Sequence, residues 1–301
     1  MSLARAPTVF VSGGSRGIGL AIATKLASAG ANVTIAAKTD KPHPKLPGTI
    51  HTAAEQVERA GGKALPLVVD IRDSAQVEQA IEQTASKFGG IDIVINNASA
   101  ISLTDSQKTS VKTYDLMNAI NSRGTFLVSK AAVPHLLRSA DKGRNPHILT
   151  LSPPLRDLMT PEHLGAATAY AVAKLGMSIV SLGLAGELKG KVGVNALWPL
   201  TYISTEAIRL ILSEEGRQYA RDPSFIGDAA FGMLNKPAAS YNGNFEIDEI
   251  FMRRELGHNS EQLDKYANVP AEELHEDLFI AQWVRDEIAK LRQEDPTTKK
   301  R

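Results

Sequence analysis

Residues 8–29 read TVFVSGGSRGIGLAIATKLASA, and the fold follows from this stretch. It opens on a β-branched and aromatic run, Val9-Phe10-Val11, suited to a buried strand. The chain then turns through Ser12-Gly13-Gly14-Ser15-Arg16-Gly17-Ile18-Gly19, after which Leu20, Ile22, Ala23 and Leu26 recur at helical spacing. Strand, glycine-rich turn and helix in that order make an anion site, because the first helical turn carries N–H groups without partners and the positive end of the macrodipole. Glycine lets the turn tighten and lets a pyrophosphate approach where a Cβ would intrude. Gly13, Gly14, Ser15, Arg16, Gly17, Ile18 and Gly19 are therefore the expected contacts of a dinucleotide. The competing reading is a tight turn that binds nothing.

Strand and helix patterns alternate onward from there. Asn32–Ala37 predicts a second strand, residues 38–48 a proline-rich loop, and Thr49–Ala60 a helix stopped by Gly61-Gly62. A third strand is expected over 64–69, ending at Asp70, with Asp73 capping a helix that runs to Phe88. Residues 91–95 predict a strand buried on both faces, 112–139 one long helix, 146–152 a strand, 165–188 a second long helix, and 192–198 and 243–248 the last strands. Repeated βα units predict a parallel α/β sheet covered by helices on both sides, with ligands beyond the carboxyl ends of its strands.

With 301 residues there is room for one large domain, expected over 1–255, and a charged helical extension over 256–301. In that extension Leu274, Leu278, Ala281, Val284, Ile288 and Leu291 form an apolar stripe that predicts an amphipathic helix over 272–292, packed on its own domain or on a neighbouring subunit. The absence of cysteine excludes disulfides and thiolate chemistry, and no ligand-spaced histidine pair suggests a metal. Lys plus Arg number 34 against 33 Asp plus Glu, so no nucleic-acid partner is expected. Neither a run of eighteen apolar residues nor a leader pattern is apparent, and the expectation is a cytoplasmic protein without a membrane partner.

Three motifs in order carry a family resemblance: the Gly13/Gly17/Gly19 turn, Asn96-Asn97-Ala98-Ser99 after the fourth strand, and Tyr170-Ala-Val-Ala-Lys174. Over about residues 7–250 the chain resembles the short-chain dehydrogenase/reductases. The segments AAKTDKPHPKLPGTIHTAAE, NNASAISLT and ILTLSPPL are similar to one branch, the hydroxysteroid dehydrogenase-like protein 2 group. Members of that group often carry a C-terminal sterol-carrier domain; about 45 residues stand in its place here, so no lipid-carrier role is expected. The resemblance implies a Rossmann-type, doubly wound, seven-stranded parallel sheet in the order 3-2-1-4-5-6-7. It also implies a homo-oligomer acting on a small carbonyl or alcohol substrate, one that the apolar residues between 201 and 236 would suit if it were hydrophobic.

Tyr170 and Lys174 lie four apart on a predicted helix and so share a face. A phenol titrates near ~10, and a nearby ammonium would lower it. By the resemblance Tyr170 is the general acid/base, Lys174 also holds the nicotinamide ribose, Ser152 binds the substrate oxygen, and Asn121 bends its helix and places a water on the lysine. Ser152 stands eighteen positions before Tyr170, with Pro153-Pro154 in place of the family's second serine, and residues 155–164 are expected to loop out near the site. Asp70 and Ile71 match the pair that flanks the adenine; Asn97, Ala98 and Pro199 complete the expected cofactor contacts, and Ser204 or Thr205 could add to them.

Cofactor choice turns on the end of the second strand, where a carboxylate would repel a 2′-phosphate and cations would attract it. The chain has Lys38 there and Arg16 in the glycine turn, which favours NADP(H) over NAD(H), although Asp40 follows closely. Three functional readings stay open at this point. The first is a carbonyl/alcohol oxidoreductase, the second a nucleotide-binding sensor or scaffold with little turnover, and the third an interaction protein working through its C-terminal helix.

Overall fold

The structure, a computed structural model, describes residues 6–42, 47–206, 208–209 and 216–297. Seven parallel strands form one sheet: β1 (Thr8–Ser12), β2 (Asn32–Ala37), β3 (Lys63–Val68), β4 (Ile93–Asn96), β5 (His147–Leu151), β6 (Gly193–Trp198) and β7 (Phe245–Ile247), in the order β3-β2-β1-β4-β5-β6-β7. The parallel pairing is what the repeated βα units predict, and the order is the one the family resemblance implies.

The strands separate two apolar layers by their period of two. Val9, Val11, Val33, Ile35, Ile93 and Ile95 face a layer that holds α1 (Gly17–Ser28) and α2 (Ile50–Arg59). Phe10, Val94, Ile148 and Val194 face the other, with α3 (Ser74–Phe88). Each such side chain, once fully buried, contributes about 1.5–3 kcal/mol. The caps follow local chemistry. Thr49 and Thr52 close a reciprocal capping box at α2, and the Asp73 carboxylate accepts from the Ala75 and Gln76 amides at α3.

The helix expected over 112–139 is two helices, α4 (Val111–Ile120) and α5 (Ser122–Asp141), divided at Asn121. The buried Asn121 amide binds the Ala100 backbone, accepting from its N–H at 2.7 Å and donating to its carbonyl at 3.0 Å. A side chain held by a neighbouring loop in this way marks where one helix gives way to the next. Beyond β5 a short α6 (Pro161–Gly165) leads to α7 (Thr168–Glu187). Among the described residues α7 is the one helix long and apolar enough to cross a membrane, and 56% of that window is buried against the rest of the fold.

After β6, Glu206, Ile208 and Arg209 are helical, while Leu210 and Ile211, counted with the apolar residues of this region, lie outside the described residues. Phe225, Ile226 and Met233 of α8 (Ser224–Leu234) pack into the layer beside α1, as core rather than as a cover for the site. Two more helices, α9 (Asp248–Leu256) and α10 (Ser260–Asp264), come before the C-terminal segment. The helix predicted over 272–292 is corrected here: α11 spans Gln282–Glu294, and residues 272–281 run across the end of the sheet without helical structure. Backbone pairing explains the difference. Asp277 N–H donates to the Leu200 carbonyl at 2.9 Å, the Tyr202 N–H donates to the His275 carbonyl at 2.9 Å, and Thr201 and Glu276 form an antiparallel bridge. The apolar stripe is nonetheless buried, with Ile280, Ala281, Val284 and Ile288 packed beside Trp198 and Ile250.

Candidate active site

A cavity of about 710 Å³ opens beyond the carboxyl ends of β1, β2, β4, β5 and β6. Its floor is the first turn of α1. That helix begins at Gly17 without a side-chain cap, so its leading amides are left to a ligand. Gly13 has φ of 67°, and a Cβ there would come within 2.8 Å of the Ala98 Cα; at Gly19 it would meet Asn97 Nδ2 and the Gly13 carbonyl, both at 2.5 Å. Glycine is required at both positions for room, and at Gly13 for conformation as well.

Of the expected cofactor contacts, Gly13, Ser15, Arg16, Gly17, Ile18, Lys38, Asp70, Ile71, Asn97, Ala98, Tyr170, Lys174 and Pro199 line this cavity. Gly14 and Gly19 do not: the first backs onto Val11 and Ile35, the second onto Asn97. Thr205 lines it and Ser204 does not. Ser12 ties the turn to β4, its hydroxyl donating to the Ile95 carbonyl and accepting from the Asn97 and Ala98 amides. Asn97 spends its side-chain donors on the carbonyls of Ser12 and Gly13, so it shapes the turn.

At the adenosine end, Arg16 is held by three loop acceptors: its Nε donates to the Pro47 carbonyl at 2.9 Å, and its Nη2 donates to the Gly48 carbonyl at 2.9 Å and to Thr39 Oγ1 at 3.1 Å. Lys38 lies 3.8 Å from Asp70, whose carboxylate is gripped by Arg72 and held below its ordinary range chiefly by that bond. Asp40 pairs with His51 at 2.8 Å and does not line the cavity.

The other end gathers Tyr170, Lys174, Ser99, Trp198, Tyr202, Asp277 and Leu278. Lys174 Nζ is buried; it donates to the Leu151 carbonyl at 2.6 Å and lies 4.9 Å from the Trp198 ring centroid. Burial lowers Lys174 to about 7, opposed by the Asp277 charge. Tyr170 departs from the sequence expectation. Burial first, and then the Asp277 charge, push its phenol above the ordinary value, while a hydrogen bond with Ser99 pulls the other way. Burial also raises Asp277 to about 8; Asp248 and Glu276 add to this, and the Leu278 amide and Lys174 counteract it.

Two of the four expected catalytic side chains are not brought into the cavity. Asn121 is engaged with Ala100, as above, and Ser152 is buried, its hydroxyl lacking any hydrogen-bond partner among the described residues. Leu151 takes the lining position at the end of β5. Residues 155–164 do not line the cavity; Leu158 and Leu164 pack in the apolar cluster that holds Tyr170 and Trp198, and the segment bonds to the C-terminal region. The Trp283 indole donates to the Arg156 carbonyl at 3.3 Å, the His163 ring donates to that of Ile280 at 3.3 Å, and Leu158 is buried.

Residues 7–215 match the family described as short chain dehydrogenase. The chain belongs to that family. It is 50% identical over 273 residues to hydroxysteroid dehydrogenase-like protein 2 of Danio rerio and 49% identical over 276 residues to the Homo sapiens protein, covering 91% and 92% of this chain. It spans 63% and 64% of the length of those two relatives. Among solved structures, a short chain dehydrogenase of Mycobacterium thermoresistibile superposes with a TM-score of 0.83 at 48% identity, covering 92% of this chain and 95% of that one. A putative dehydrogenase of Xanthomonas campestris gives 0.85 at 45% identity, covering 93% and 100%. The chain thus has the seven-stranded Rossmann-type sheet together with the family's match. The wall of its cavity also draws on Asp277 and Leu278, beyond the family match, for which the sequence carries no motif.

Proposed function

We propose that this dehydrogenase interconverts a carbonyl and an alcohol with NADP(H), using Tyr170 as the proton donor and acceptor and Lys174 as its partner. The observation that carries the reading is the convergence of an uncapped helix N-terminus, Tyr170 and Lys174 on one cavity. The bound nicotinamide supplies or takes the hydride at the substrate carbon. Gly13, Ser15, Gly17 and Ile18 hold the diphosphate, and Lys174 donates to the nicotinamide ribose as it now donates to Leu151. Tyr170 gives its proton to the substrate oxygen in reduction and takes one back in oxidation.

Preference for NADP(H) rests on Arg16 and Lys38 lining the adenosine end while Asp40 stays outside and paired with His51. An apolar substrate is favoured by Ile101, Leu103, Trp198, Ile208 and Leu278 in the wall. Exposed Phe126, Val172, Ile179 and Leu182 on α5 and α7 support association between copies. The test is titration with NADPH and NADH, then a screen of aldehydes, ketones and alcohols with the preferred nucleotide. Tighter NADPH binding with turnover on the panel is expected; tighter NADH binding overturns the cofactor choice. The placement of Ser152 outside the cavity favours a second reading, a nucleotide-binding sensor of the same fold. Nucleotide binding without turnover across the panel would select it.

A further inference from the structure

Carbonyl chemistry at this site calls for a second donor to the reacting oxygen beside the phenol, and Ser152 does not reach the cavity. Beside Tyr170 and Lys174 the wall presents a carboxyl instead, that of Asp277. We propose that Asp277 hydrogen-bonds the reacting oxygen of the substrate alongside the Tyr170 hydroxyl, taking the part expected of Ser152; the inference rests on the oxidoreductase reading above.

Three features of the structure argue for it. Asp277 is fixed in place, since its own N–H donates to the Leu200 carbonyl and the next carbonyl, that of Leu278, accepts from the Trp198 indole at 2.8 Å. Phe279 follows in the left-handed region, φ 62°, with its ring 5.9 Å from that of Tyr170 and 6.0 Å from that of Trp198. A non-glycine residue held there implies surroundings that over-determine the segment. Second, only Oδ1 is engaged, accepting from the Leu278 N–H at 2.6 Å; among the described residues Oδ2 has no hydrogen-bond partner. Third, the groups acting on the carboxyl do not give it a guanidinium. Those interacting with it are Lys174 and Tyr170 on α7, Tyr202 after β6, Asp248 at the start of α9 and its neighbour Glu276. In that company the carboxyl is raised to about 8, and in its protonated form Oδ2–H is a donor toward a carbonyl oxygen at the cavity wall, as a carboxylic acid in an apolar site can be. No proton leaves it in the reaction; Tyr170 supplies the one that the substrate gains.

Two variants and one spectrum test this. Asp277→Ala is expected to lower kcat/KM by about 10²-fold, the scale of one lost oxygen-binding donor. Asp277→Asn, whose amide still donates, should stay within about tenfold of wild type, with NADPH affinity by fluorescence titration unchanged in both. The infrared difference between the wild-type and Asp277→Asn NADPH complexes at pH 7 should show a protonated carboxyl band that shifts when a carbonyl compound is added. The probe is the best substrate of the screen, or acetophenone at saturation if none is turned over. Wild-type kcat/KM in Asp277→Ala, an Asn variant as slow as the Ala variant, or a carboxyl band that is absent or unmoved would each overturn the proposal. Wild-type protein that turns over nothing overturns the oxidoreductase reading instead, and the band then decides the Asp277 contact by itself.

Discussion

Two charge clusters, one around the fully buried Glu249 and one at the cavity wall around Asp277, have gone opposite ways. In the first, Glu249 of α9 is fully buried and receives Arg221 Nη2 at 2.8 Å, Arg253 Nε at 2.9 Å and Arg292 at 3.0 Å. Burial alone would raise its carboxyl; Arg221, Arg292 and Arg253 bring it down to about 2. In the second, Asp277 faces a single buried ammonium and is raised to about 8, while Lys174 is lowered to about 7. What separates them is the number and geometry of donors. Planar guanidiniums that meet a carboxylate through several N–H groups hold the ionised form in the interior, and one desolvated amine does not. The Glu249 cluster therefore joins α11 to α9 as structure, and the cavity pair remains near neutrality, where protonation can change.

The comparison breaks most sharply at Tyr170. Tyr170→Phe removes the proton donor and leaves both clusters their charges, so kcat should fall by about 10³–10⁴-fold, roughly 4–5.5 kcal/mol, while the melting temperature and NADPH affinity hold. Stopped-flow and fluorescence titration read both; turnover within tenfold of wild type contradicts the mechanism. Next in size is Glu249→Gln. Three guanidiniums then face a neutral amide in the interior, and urea unfolding should show a loss of about 3 kcal/mol or more. A loss below about 1 kcal/mol would mean that the cluster is dispensable.

Smaller again is a pH effect at Asp248, whose Oδ1 accepts from the Leu200 and Glu249 amides and whose Oδ2 is buried without a partner. Burial raises this carboxyl from 3.8 to about 7. The folded chain then holds a proton that the unfolded chain releases, so the associated stability is present below pH 3.8 and is lost as pH rises through about 7. Glu249 has the reverse sign: its stabilisation is present above pH 4.5 and is lost as pH falls toward about 2. Asp248→Asn keeps both accepted bonds and has nothing to titrate. Its unfolding free energy should decline less than that of wild type between pH 5 and 8, by on the order of 2 kcal/mol. Parallel pH profiles for the two proteins would contradict the assignment.

How far the sequence could be read follows from how local each feature is. The turn at residues 12–19 and the seven strands were legible because glycine spacing and apolar periodicity are written within a few residues of where they act. The same is true of the Asp73 cap. Residues 272–281 misled because Leu274, Leu278 and Ala281 fit a helical stripe equally well, and what extends them is pairing with Leu200 and Tyr202, distant in sequence. Asp277 lies 107 positions after Tyr170, in no motif, and only the folded chain joins the two. Ser152 was a decision between two faces. In a strand buried on both sides the pattern does not tell which residue at its end lines the cavity; Leu151 does and Ser152 does not.

The smallest expected effect lies at the far end of the cavity and asks whether exposed charge there behaves like either cluster. The Lys38 side chain is 56% exposed and 3.8 Å from Asp70, a pair of little worth to stability. Arg16, by contrast, is held by the Pro47 and Gly48 carbonyls, ready-oriented for an anion. If a 2′-phosphate sits between them, Lys38→Ala removes one of two charge contacts and should weaken NADPH by about tenfold, about 1.4 kcal/mol, with NADH changed by less than about twofold. Because Lys38 is solvated, the NADPH loss should also shrink as salt is raised, whereas the contribution of the pinned Arg16 should persist. An equal loss for NADPH and NADH would place Lys38 on a group the two nucleotides share and would remove the electrostatic ground for preferring NADP(H).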